Sequence, residues 1–60
     1  MYFKVEIEQS MDIDGLCSHL EMNGYNFERI HNHLYVFEDE LSYVETIMQD
    51  RHIIYGIEGV

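Results

Sequence analysis

The chain has 60 residues, of which 12 are Asp or Glu and 3 are Lys or Arg, giving a formal charge of −9. Three scattered cations cannot neutralise a run of phosphates, and an anionic membrane surface would repel the chain, so direct nucleic-acid and membrane binding are both excluded. The length accommodates one domain over residues 1–60, with little volume for a catalytic cleft.

A chain of this size buries only about 60% of the surface its unfolded form exposes, which leaves it marginally stable without help. Small domains find that help in disulfides, metals or oligomerisation. The single cysteine, Cys17, rules out an intrachain disulfide and suits a reducing cytoplasm. Hydrophobic residues make up 47%, too many for a disordered acidic tail, and five Tyr with three Phe supply aromatic area. The expectation is a folded domain that pairs as a homodimer or packs against a partner. No apolar targeting segment or membrane-length run is visible, so a soluble, cytoplasmic protein is expected.

Strict alternation marks the first strand, with Phe3, Val5 and Ile7 on one side and Tyr2, Lys4, Glu6 and Glu8 on the other. Period two then gives way to helical spacing, as Ile13, Leu16, Cys17 and Leu20 stand at i, i+3, i+4 and i+7. Ser10 or Asp12 can cap this helix, and Gly24 after Asn23 can end it in the left-handed conformation with Tyr25 packing back. Tyr25 to Ile30 and Leu34 to Glu38 read as strands joined by a tight His31-Asn32-His33 hairpin in which Asn32 tolerates positive φ. A second helix begins near Asp39 or Ser42, where Ser42 and Glu45 can form a capping box. Leu41, Val44, Ile47 and Met48 form its apolar stripe, with Arg51 at its negative end. Ile53 to Glu58 reads as the last strand, with Gly56 marking a bulge.

The order is βαββαβ, two strand–helix–strand halves over roughly 2–30 and 34–58. The natural solution is an α+β, ferredoxin-like arrangement: a four-stranded antiparallel sheet with both helices on one face, its first and third strands central. If Phe3, Val5, Ile7, Leu34 and Val36 face the helices, the open face carries Tyr2, Lys4, Glu6, His33, Tyr35 and Phe37. Ile54 or Tyr55 joins them according to the register at Gly56. An aromatic patch on an uncovered sheet marks a contact surface or a homodimer seam.

The carboxylates cluster. Glu6, Glu8, Asp12, Asp14 and Glu21 occupy a stretch without a Lys or Arg, and Glu38-Asp39-Glu40 forms a second group. Strand residues two apart, such as Glu6 and Glu8, project to one side at roughly 6.6 Å, comparable to neighbouring phosphates on a nucleic-acid strand. Such an array can present a DNA-like potential to a basic groove. In length, charge, the Glu6/Glu8/Asp12/Asp14 row and the Glu38-Asp39-Glu40 run, the chain resembles the small acidic DNA-mimic proteins of bacteriophages. That resemblance implies an inhibitor of a nucleic-acid-binding protein, acting in the host cytoplasm. The plainer alternative is a solvated acidic surface that keeps a small protein soluble.

Three sharper motifs compete with simpler explanations. Ser10 to Glu21 places Asp12, Asp14, Gly15 and Glu21 in a calcium-loop register, but position one is Ser and the preceding segment alternates as a strand. His31 and His33 can share one side of a strand and offer imidazole to zinc, nickel or copper, which makes a small metal- or ligand-sensing module the alternative function. Cys17 lacks an electropositive neighbour that would activate it, and no Gly-rich phosphate loop is present. The expectation is therefore a non-enzyme without a cofactor, binding a basic protein surface. Tyr35 and Phe37 are its apolar anchors, and Glu6, Glu8, Glu38, Asp39 and Glu40 its electrostatic contacts. A structural subunit of a larger assembly is a further alternative.

Overall fold

The computed structural model describes residues 1–59 and has the order β1 (Tyr2–Ile7), α1 (Ile13–Met22), β2 (Phe27–Ile30), β3 (His33–Phe37), α2 (Glu38–Asp50) and β4 (Tyr55–Gly59). The strands form one sheet in the order β2-β3-β1-β4, and every neighbouring pair is antiparallel. The two strands with the cleanest alternation, β1 and β3, lie in the centre, as a ferredoxin-like βαββαβ fold requires.

Val5 and Ile7 of β1 and Leu34 and Val36 of β3 are fully buried, and their period-two spacing puts all four on one side of the sheet. They share a single cluster with Ile13, Leu16, Cys17 and Leu20 of α1 and with Val44 and Met48 of α2, so both helices cover that side. Leu41 and Ile47 extend the α2 stripe as partly buried neighbours. No buried polar side chain interrupts the cluster among the described residues.

Both helices end in the same hydrogen-bond pattern. At the end of α1 the Tyr25 amide reaches the Leu20 carbonyl and the Gly24 amide reaches that of Glu21, a Schellman motif with Gly24 at φ 77°. At the end of α2 the Ile53 amide donates to Met48 and the His52 amide to Gln49, so His52 takes the left-handed position at φ 58°. At the start of α1, Asp12 is the cap, and its carboxylate accepts from the Gly15 amide at 3.0 Å.

Several local expectations require correction. β2 begins at Phe27, because Tyr25 is consumed by the α1 terminus and stacks on Tyr43. α2 begins at Glu38, directly after β3, one residue before Asp39 and without a side-chain cap; of the two expected starts Ser42 is the one that fails, since it lies inside the helix. Three acids in the first turn complement the helix dipole in place of a capping box. The positive φ of the hairpin falls on His31, not Asn32. Asn32 instead continues the central ladder: its carbonyl accepts from the Ile7 amide and its Nδ2 donates to the Ile7 carbonyl, both at 2.8 Å. Gly56 makes no bulge, since the β1–β4 register runs unbroken from Phe3↔Gly59 to Ile7↔Tyr55.

Candidate functional site

The open face of the sheet follows from the register. Tyr2 on β1 pairs with Phe37 on β3, and their rings meet edge to face with centroids 5.2 Å apart and planes at 76°. The next layer crosses all four strands as Glu28, Tyr35, Lys4 and Glu58. The third layer runs Ile30, His33, Glu6 and Gly56. One end of the face is therefore aromatic and the remainder carries alternating acids, a lysine and a histidine. Ile54 falls on this side and is 61% exposed, whereas Tyr55 turns to the core and its hydroxyl donates to Glu45.

Two open troughs divide this surface. The first, of about 530 Å³, is lined by the aromatic rings of Tyr2, Tyr35 and Phe37 and by the carboxylates of Glu28, Asp39 and Glu40. Among the described residues, no lysine, arginine or histidine lines it. Glu40 accepts from the Asn26 amide at 2.8 Å, while Glu28 and Asp39 make no ion pair or side-chain hydrogen bond among the described residues. The second, of about 510 Å³, runs along β1 and β4 between Lys4, Glu6, Glu8, Ile54 and Glu58.

The candidate contacts thus separate into groups. Tyr35, Phe37, Asp39 and Glu40 come together at the first trough; Glu6 and Glu8 line the second. Glu38 sits beside the Met1 amine at 3.5 Å, and Glu6 faces the His33 imidazole, with 3.7 Å between Oε1 and Nε2. Glu8 lies just beyond β1, and its carboxylate accepts from the Ser10 hydroxyl and amide, which holds its pKa below the ordinary value. Asp12 and Asp14, unlike Glu8, have arginine partners within the chain. Asp12 caps α1 and lies 3.7 Å from the Arg51 guanidinium, and Asp14 is paired with Arg29 of β2. Two of the three basic side chains are thereby used within the chain, on the helical side.

The histidines follow separate fates. His31 occupies the hairpin turn, where its carbonyl accepts from Arg29 Nε at 2.8 Å, while His33 faces Glu6 on the sheet. Among the described residues, no three His, Cys, Asp or Glu side chains converge into a metal-binding group. Cys17 is buried on α1, and that burial pushes its thiol pKa up, away from the nucleophilic thiolate. No helix among the described residues is long and apolar enough to cross a membrane.

Residue-by-residue reasoning missed Glu28, Glu58 and Ile30. Glu28 was hidden by the expected three-residue His31-Asn32-His33 turn: β3 begins at His33, so the loop has two residues, Ile30 stands opposite His33 and Glu28 opposite Tyr35. No turn joins β1 to β4, so no comparable count places Glu58 beside Lys4. No protein-family model, curated protein or solved structure matches the chain.

Proposed function

We propose that the protein acts by binding, presenting the open face of its sheet to a basic surface of a partner protein and catalysing no reaction. The observation that supports this most is the exposed Tyr2–Phe37 pair with Tyr35, bordered by the unpaired carboxylates of Glu28 and Asp39. Exposed aromatics supply the desolvated centre on which affinity concentrates, and surrounding charge sets association rate and partner choice. In its stricter form the proposal is a DNA mimic that occupies the nucleic-acid groove of a basic protein in the cytoplasm of its host. The net charge of −9 favours that encounter and opposes binding to acidic partners.

The test is affinity chromatography of heparin-retained proteins on the immobilised chain. Retention should fall as salt is raised, should be lost in a Tyr35→Ala, Phe37→Ala variant, and should be reversed by a DNA duplex. Retention indifferent to salt, or surviving in the variant, contradicts the reading. Competition failing while the variant still matters removes only the DNA-mimic form.

Self-association through the same face is the second reading, favoured by exposed Tyr2, Phe37, Ile30 and Ile54. Glu6, Glu28 and Glu58 on that face would repel their copies. Sedimentation equilibrium separates the two, since a dimer that dissociates in the Tyr35→Ala, Phe37→Ala variant supports the seam.

A further inference from the structure

We infer that the trough between β3 and the start of α2 is a receptor for an arginine side chain of the partner protein. This rests on the preceding reading that the open face binds a basic surface, and it names the group recognised. Tyr2, Tyr35 and Phe37 offer ring surface, and Glu28 and Asp39 bring carboxylates to the same trough that pair with no cation among the described residues. Lys4, across from Tyr35, lines the other trough, as does Glu58. Arg29 and Arg51 are held on the helical side by Asp14 and Asp12.

A guanidinium meets both halves of this lining. It is planar and weakly hydrated, stacks on aromatic faces, and presents a fork of donors that matches a carboxylate. An ammonium is more strongly hydrated and cannot form the bidentate pair. The division of labour across the open face follows. The aromatic trough grips one arginine, while Glu6, Glu8 and Glu58 along β1 and β4 meet other basic residues of the same partner through longer-range attraction.

The test is an NMR titration of the whole chain with tri-arginine, tri-lysine and tri-citrulline peptides at low salt. Tri-arginine should shift the Tyr2, Glu28, Tyr35, Phe37 and Asp39 resonances, and bind about two- to fivefold tighter than tri-lysine, the range expected of an exposed cation–π contact. Tri-citrulline, which keeps the shape and loses the charge, should leave them unmoved. Tyr35→Ala should remove the arginine preference. Glu28→Gln, an exposed substitution that leaves the core untouched, should weaken binding of both basic peptides by about two- to fivefold. Equal affinity for arginine and lysine, with no effect of Tyr35→Ala, overturns the inference. Shifts confined to Glu6, Glu8 and Glu58 overturn it while leaving the open-face reading intact, and shifts confined to the helices overturn both.

Discussion

The two faces of the sheet are built from the same strands by residues one position apart, yet they obey different rules. Val5, Ile7, Leu34 and Val36 are fully buried under the helices with no charged group among them. Their neighbours Lys4, Glu6, Tyr35 and Phe37 stand on the opposite side, with no helix or strand over them among the described residues, mixing aromatic surface with charge. The covered face needs only volume and apolarity, because its occupants are supplied by α1 and α2. The open face leaves Tyr2, Phe37 and Ile30 exposed and carries three acids, Glu6, Glu28 and Glu58, with Lys4 as its one lysine. On the proposed function, stability and recognition would fall to alternate residues of one strand.

Adjacent substitutions should break the molecule differently. Leu34→Ala removes a fully buried side chain from the central strand and should cost about 2–5 kcal/mol of unfolding free energy. Tyr35→Ala, one residue on, should cost about 1 kcal/mol or less, the scale of a cross-strand pair. Urea unfolding of the two variants measures the difference, and equal losses would erase the distinction between the faces.

The covering layer can be adjusted without touching the open face. His52 holds the left-handed position that Gly24 holds at the end of the other helix, and the side chain adds steric cost there. His52→Gly should raise stability by about 0.5–1 kcal/mol after the added flexibility of the unfolded chain is counted. Gly24→Ala should lower it by about 1 kcal/mol, because φ is positive there although the space around it is open. Peptide binding by both variants should match the parent once folded, which separates the two roles.

How far the residues foretold this arrangement depends on whether the signal was local. Alternation in β1 and β3 and the 3.6-residue stripes of both helices are local, and they carried the fold and nearly the whole core. The Asn23-Gly24-Tyr25 terminus was equally readable, since only glycine takes that φ without strain. The start of α2 was readable to within one residue at Asp39 but not settled against Ser42, because Phe37 contributes no capping side chain while Ser42 and Glu45 have the spacing of a capping box. The arginine partners of Asp12 and Asp14 were hidden for a longer-range reason. Asp14 and Arg29 are 15 residues apart, and only the folded hairpin brings the arginine to the helix. Tyr35 and Phe37 were placed on the open face from parity alone, whereas the Glu28 beside them required the strand register.

The smallest expected effect lies at the end of the open face. Hydrogen bonds from Ser10 lower the Glu8 pKa, so its carboxylate is favoured in the folded state. A depressed folded pKa adds stability above the unfolded value, near 4.5, and that contribution disappears as pH falls through the folded pKa. Because Glu8 is fully exposed, the effect on unfolding should be slight, and an NMR titration is the proper readout. Ser10→Ala should move the Glu8 midpoint upward towards its ordinary value. An unchanged midpoint would mean that the Ser10 hydroxyl does not hold the carboxylate, since the backbone amide remains in the variant.

The claim that location, and not net charge, makes the surface is tested by two charge-matched variants. Glu28→Gln, Asp39→Asn neutralises two acids of the aromatic trough, and Glu21→Gln, Asp50→Asn neutralises two exposed acids of the helices. Titrating both with the same tri-arginine peptide at one salt concentration isolates placement from charge. The first variant should lose binding several-fold and the second should keep the affinity of the parent to within about a factor of two, the scale of one exposed pair. Equal losses in the two would contradict that claim, because an acidic protein of no particular shape would then explain the binding as well.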